Sequence, residues 1–133
     1  MTKTQGINHL GLSVKNLEET TRFFVELLGW EESGRDLSYP RTAVTDGTIR
    51  LTLWQVDRDN PVVEFDRKRN IGLHHLALTV ASEEDLSKLD KAVREWPGVE
   101  IEFAPELVGD GPRKHMIFYE PGGIRIEFIW QGI

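Results

Sequence analysis

Gly6-Ile-Asn-His9-Leu-Gly11-Leu-Ser-Val14 and Gly72-Leu-His-His75-Leu-Ala77-Leu-Thr-Val80 are two copies of one pattern, identical at five of nine positions. Each carries a histidine at the same place, about 66 residues apart, and repetition at that distance marks a duplicated module. Both copies alternate with a period of two, so each reads as a strand with unlike faces. Leu10, Leu12 and Val14 oppose His9, Gly11 and Ser13; Leu76, Leu78 and Val80 oppose His75, Ala77 and Thr79. The aliphatic face is the expected core side. On the other face a very small residue follows each histidine two positions on, which should leave open space above the sheet.

Working outward, Asn16-Leu-Glu-Glu19 is close to a capping box, and Leu17, Thr20, Phe23, Phe24, Leu27 and Leu28 then recur at helical spacing up to Gly29. Strands are expected over 30–33, 41–44 and 49–54, with Asp46-Gly47 as the strongest hairpin signal. The second copy repeats the plan. Ser82 caps a helix whose apolar face is Leu86, Leu89, Val93 and Trp96, and Pro97-Gly98 closes it. A short strand over 100–103, a loop from Pro105 to Pro112, and a hairpin of 114–119 with 124–130 complete the unit. The fold class is therefore α+β: two paired βαβββ modules, 6–55 and 72–131, joined by a linker over 56–71 within one domain spanning 1–133. Each helix would cover the aliphatic side of its own sheet, leaving the other sides to face inward as an open, incomplete barrel.

Composition narrows the function. Hydrophobic residues make up 39% and charged residues 29%, as in a globular protein, and a net charge of −6 argues against nucleic acid or anionic membrane as partner. The absence of cysteine excludes disulfides and thiolate chemistry. With no apolar leader or membrane-length stretch, the cytoplasm is the expected location.

The last strands of the two modules align through a shared Ile-Arg pair, Ile49-Arg50 and Ile124-Arg125, which puts Thr52 and Glu127 at equivalent places. By strand parity His9, His75, Thr52 and Glu127 share the concave side. Two histidines and one carboxylate form a ligand set that leaves metal positions open. His74 has no counterpart in the first copy, falls on the aliphatic side, and reads as structural or exposed. Trp54 could wall a pocket and stack on a planar substrate, or simply be core. The equivalence of Arg50 and Arg125 favours a structural role, although Arg125 could hold a substrate carboxylate.

The Asn8-His9-Leu10 opening, Leu27-Leu28-Gly29 at the helix end, and the Tyr119-Glu-Pro-Gly-Gly-Ile-Arg-Ile-Glu127 close together resemble the vicinal oxygen chelate superfamily. That superfamily includes glyoxalase I, extradiol dioxygenases, epimerases, fosfomycin-resistance enzymes and bleomycin-resistance proteins. The resemblance implies a divalent metal held by His9, His75 and Glu127, with Fe(II) preferred and Mn(II), Ni(II) or Zn(II) compatible. It also implies a small substrate bound through its oxygens, and modules that pair within one chain or across a homodimer, the latter preferred.

Thr52 stands where the glyoxalases have a glutamate, and a hydroxyl is a poor ligand and no base near neutral pH, which weakens a glyoxalase reaction. The fosfomycin branch is disfavoured because Gly11 and Ile117 replace its threonine and tyrosine. In the extradiol branch Ile117 again replaces a pocket tyrosine, and His115 is the candidate substitute acid or base; its alternative is an exposed histidine near a hairpin. His115, Ile117 and Tyr119 share the concave parity, so His115 and Tyr119 are candidates for proton transfer, and Thr52, Trp54, Ile117 and Arg125 for the substrate pocket. The expected function is a metal-dependent dioxygenase-like or lyase/isomerase enzyme. The rival is a non-catalytic, drug-sequestering protein of the bleomycin-resistance type.

Overall fold

The first repeat begins strand β1 (Leu10–Val14), followed by helix α1 (Leu17–Arg22), a π turn (Phe23–Leu27), and strands β2 (Glu31–Asp36), β3 (Arg41–Thr45) and β4 (Arg50–Gln55). The computed structural model describes residues 1–133, which divide into two compact units, Met1–Val62 and Val63–Ile133. In the first, the sheet order is β1-β4-β3-β2, with β1 parallel to β4 and the other pairs antiparallel. A parallel pair needs a long crossover, which α1 begins. Its N-cap forms as expected: Asn16 Oδ1 accepts from the Glu19 amide at 3.0 Å.

The expected single helix to Leu28 instead widens into the π turn, where the Leu28 amide donates to the Phe23 carbonyl at 3.2 Å. Two consecutive phenylalanines explain the change. An ordinary turn rotates neighbours about 100° apart, whereas one extra residue per turn helps both Phe23 and Phe24 to be fully buried. Their rings meet edge-to-face at 5.5 Å, and Phe24 packs on Trp30 at 4.9 Å. Leu12, Val14, Val44, Leu51 and Leu53 complete this core.

The second unit contains β5 (Leu76–Val80), α2 (Glu83–Glu95), β6 (Glu100–Leu107), β7 (Lys114–Tyr119) and β8 (Arg125–Trp130), in sheet order β5-β8-β7-β6. Each unit is thus a βαβββ module with an open four-stranded sheet. Ser82 caps α2 through the Asp85 amide at 3.0 Å, and buried Leu86 and Val93 join Met116, Phe118, Ile126 and Phe128 in the core. Trp96 falls at the C-cap in extended conformation and is only half-buried, so the helical face stops short of it.

Strand β6 corrects the expectation of a strand ending at Phe103 and a loop from Pro105. It runs on to Leu107 because two bulges absorb the irregular residues: Ile101 opposes Phe118, Phe103 opposes Ile117, and Glu106 opposes His115. As an edge strand it tolerates Pro105 where a central strand would lose a ladder bond. The first bulge matters for function. Ile101 stays opposite the core residue Phe118, while Phe103 and the extra residue Glu102 both turn to the polar face of the sheet.

Candidate functional site

On β8, Arg125 and Glu127 alternate with fully buried Ile126 and Phe128, so both charges project from the face opposite α2's core. Glu127 lies between Ala77 of β5 and Ile117 of β7 in the ladder and is 9% exposed. Its Oε1 is 3.4 Å from His75 Nε2, and its Oε2 meets His115 Nδ1. His75, Glu127 and His115 are therefore brought together, with Ile117 buried beside them and the Phe103 ring 5.0 Å from that of His115. Within either unit, no three His, Asp or Glu side chains are arranged as a group that could hold a metal ion.

His75 sits just ahead of β5, and its Nδ1 lies 2.8 Å from His74 Nδ1. His74 Nδ1 is in turn 3.3 Å from Arg125 Nη1. Parity had assigned His74 to the aliphatic side, but the ladder starts at Leu76, so strand alternation does not reach it; the residue is exposed. Loss of solvation, then the nearby Arg125 charge, holds the His74 imidazole below its usual range.

Arg125 is 6% exposed and grips Glu102 with two bonds, Nε to Oε1 at 2.9 Å and Nη2 to Oε2 at 2.7 Å. Tyr119 donates its hydroxyl to Glu102 Oε1 at 3.4 Å, and Arg67 Nη1 approaches the same oxygen at 3.7 Å. The Arg125 hydrogen bonds lower the Glu102 pKa against the opposing effect of burial, and the same pair raises that of Arg125. Arg125 thus has its bidentate fork engaged on Glu102 rather than open for a substrate carboxylate. Its repeat partner Arg50 is exposed, so the shared Ile-Arg pair does not carry a shared role. An unbroken run of polar contacts links Arg67, Glu102, Arg125, His74, His75, Glu127 and His115.

In the first unit, exposed His9 lies just ahead of β1 with Nδ1 2.7 Å from Asn8 Oδ1. Thr52 is buried and its hydroxyl accepts from Trp54 Nε1 at 2.9 Å. A Cβ on Gly11 would stand 3.2 Å from Thr52 Oγ1 and 3.5 Å from Trp54 Nε1. The space expected above Gly11 is accordingly taken by the indole, which Tyr39 meets edge-on at 5.1 Å and the Arg41 guanidinium covers at 5.6 Å.

Sequence reasoning missed Glu102, Phe103 and Arg67. Ile101-Glu-Phe103 reads as regular alternation with the glutamate alone on the polar face, and only Pro105 signalled a disrupted edge. Arg67 stands in a stretch with no periodicity at all.

A sequence model described as the glyoxalase/bleomycin resistance protein/dioxygenase superfamily matches residues 6–128. No curated protein matches the chain. Among solved structures, a glyoxylase/bleomycin resistance protein/dioxygenase domain from Frankia sp. EAN1pec is 24% identical, covering 97% of this chain and 93% of that one, with a TM-score of 0.79. A protein assigned as a glyoxalase from Bacillus halodurans is 26% identical over 93% of this chain and 94% of its own, with a TM-score of 0.76. A fosfomycin resistance protein from Listeria monocytogenes is 21% identical over 96% and 93%, with a TM-score of 0.70. The Frankia and Listeria proteins share the fold.

Proposed function

Since the chain belongs to the glyoxalase/bleomycin resistance protein/dioxygenase superfamily, we propose that it is a divalent-metal-dependent enzyme acting on a small substrate bound through its oxygens. His9, His75 and Glu127 would hold the ion. The observation that carries this reading is the approach of His75 Nε2 to Glu127 Oε1 at 3.4 Å. In the tautomer with its proton on Nδ1, His75 offers a nitrogen lone pair beside the Glu127 carboxylate, and both side chains could then donate to one cation. The donor set of two imidazoles and one carboxylate fits Fe(II) first, and also Mn(II), Ni(II) or Zn(II). Such an ion supplies Lewis-acid polarisation of substrate oxygens or, as iron, a template for dioxygen.

The chain's own residues supply the rest. His115, by engaging Glu127 Oε2, fixes the carboxylate and keeps its own Nε2 for a proton at a substrate oxygen. Tyr119 is the second proton-transfer group in this reading, Trp54 and Ile117 are substrate-pocket residues, and Thr52 serves the pocket by holding the Trp54 indole. The reaction is dioxygenase-like or of the lyase/isomerase class. A homodimer in the cytoplasm is the expected state; no helix is long and apolar enough to cross a membrane.

A second reading, a sequestering protein without turnover, draws on the aromatic pair Tyr39 and Trp54 beside the Arg41 guanidinium. Elemental mass spectrometry of protein purified without chelators separates the two. About one equivalent of metal, lost in both His9→Ala and His75→Ala, is the expected result. No uptake after reconstitution with each ion overturns the enzyme reading.

A further inference from the structure

The two modules treat one shared arginine differently. Arg125 meets a carboxylate because β6 carries the extra residue Glu102 between Ile101 and Phe103. In the first unit β2 pairs without an extra residue up to Ser33: Glu31 opposes Thr45, Glu32 opposes Val44 and Ser33 opposes Ala43. Arg50, the counterpart of Arg125, is exposed and folds without a carboxylate. Its guanidinium reaches Gly34, where a Cβ would stand 3.6 Å from Arg50 Nη2 and 4.0 Å from Arg41 Nη1. Two positive charges from neighbouring strands thus approach one point, over a residue with no side chain. Neither has a carboxylate at ion-pair distance. Arg41 Nη1 donates to the Gly34 carbonyl at 3.1 Å, which anchors the charge without neutralising it. Of the acidic residues on β2, Glu32 is paired with Arg35, Asp36 Oδ1 accepts from the Ser38 amide and hydroxyl at 3.0 and 2.6 Å, and exposed Glu31 meets neither arginine.

We infer that Arg41 and Arg50 form the carboxylate-binding end of a site for a small, planar aromatic acid. The ligand's carboxylate takes the part that Glu102 plays in the second unit, and a guanidinium fork matches it in shape and charge. The ring has walls of its own. The Trp54 indole, held by its bond to Thr52, lies under the Arg41 guanidinium, and exposed Tyr39 stands at 87° to it with centroids 5.1 Å apart. A flat ring can stack on the guanidinium or on Tyr39, an attraction that an acid without a ring lacks. The inference rests on the reading of the chain as a small-molecule protein, to which it gives a ligand class, and not on the metal.

The test titrates 2-naphthoate, 2-naphthamide and acetate into metal-free protein, so that no ion competes for the carboxylate. Calorimetry gives affinity, and ¹H–¹⁵N spectra give the place. Naphthoate is expected to bind, to move the Trp54 indole N–H signal and to leave that of buried Trp30 in place. The uncharged amide should bind about 10-fold more weakly or worse, the effect of losing a hydrogen bond to a charged group, and acetate more weakly than naphthoate by a similar factor. Arg41→Gln and Arg50→Gln should each weaken naphthoate by about 10-fold or more and leave naphthamide unchanged; Arg50 is exposed, so its variant should fold. Arg69→Gln, which removes the same charge from a side chain 87% exposed and outside every strand, should bind naphthoate as wild type does. No binding, equal binding of acid and amide, acetate as tight as naphthoate, a Trp54 signal that stays still, a loss in Arg69→Gln equal to that in Arg50→Gln, or wild-type affinity in either Arg41→Gln or Arg50→Gln overturns the inference. The expected pattern in a chain that takes up no ion on reconstitution would uphold the acid site and refute the metal reading alone.

Discussion

Replacing Glu102 by glutamine removes one charge from a pair whose partner is almost fully enclosed. The two nitrogens of Arg125 stand 2.9 and 2.7 Å from the carboxylate oxygens, putting the charge centres about 4 Å apart. At an effective dielectric constant of about 20 the attraction is about 4 kcal/mol. The Glu102 side chain is 25% exposed, so solvent screening and the ordering of two long side chains remove a large part of it. Against that discount, the variant leaves Arg125, 6% exposed, with weaker acceptors for a charge that cannot be neutralised. The expected loss is about 2 kcal/mol at pH 7, or about 6–8 °C in Tm for a chain of this length. Its pH dependence follows from the lowered pKa of Glu102 in the folded state. The stabilisation is complete above the unfolded carboxyl value of about 4.3 and disappears as pH falls through the lower folded value. Urea denaturation of wild type and Glu102→Gln from pH 7 downward should therefore show two stabilities that converge in acid. A gap under about 0.5 kcal/mol at pH 7, or one that persists unchanged below the folded pKa, would refute this account of the pair.

Gly11→Ala should cost about 1 kcal/mol, since the new methyl stands 3.2 Å from Thr52 Oγ1 and must displace it or the indole; a shift in tryptophan emission would accompany the loss. Trp54→Phe keeps the aromatic contact with Tyr39 but removes the bond to Thr52, and should lower stability by about 1 kcal/mol in chemical denaturation. Phe128→Ala empties the centre of the second unit's core, where Phe128 packs on Phe118 at 5.0 Å, and should cost about 3–5 kcal/mol in the same assay.

The fold was legible because the features that specify it repeat. Alternation around both histidines, the caps Asn16 and Ser82, and the apolar rows on β4 and β8 are local, and each predicts the element that forms. Two departures have the same origin. The π turn at Phe23–Leu27 and the bulges of β6 are places where one extra residue breaks the regular period, and periodicity cannot announce its own interruption. Of the candidate site, the shared face of His115 and Glu127 follows from parity across paired β7 and β8, and His75 reaches them from just ahead of β5. Glu102 and Arg67 do not, since one enters through a bulge and the other from a stretch outside every strand. His74 is exposed, one of the two readings its sequence position allowed, but it precedes the ladder and so has no aliphatic-side strand position.

The two modules have kept one face and exchanged the other. On the core side, Leu12, Leu51 and Leu53 of the first unit correspond to half-buried Leu78 and to buried Ile126 and Phe128 of the second, so apolar character is held while size varies. On the opposite face the histidine and the arginine keep their identity but not their surroundings. The first unit sets Gly11 under Trp54 and seals Thr52 beneath it, an aromatic surface with the Arg41 guanidinium over the indole. The second sets Arg125, Glu127 and two further histidines in continuous polar contact, reinforced by Glu102 from the bulged edge. A polar face can diverge this far because its side chains are not locked into the close-packed core, whereas each buried charge it gains must bring a partner with it. Arg125 is the clearest case. Its counterpart Arg50 stays exposed and needs no carboxylate, while burial of Arg125 accompanies the bulge in β6 that delivers Glu102 to it.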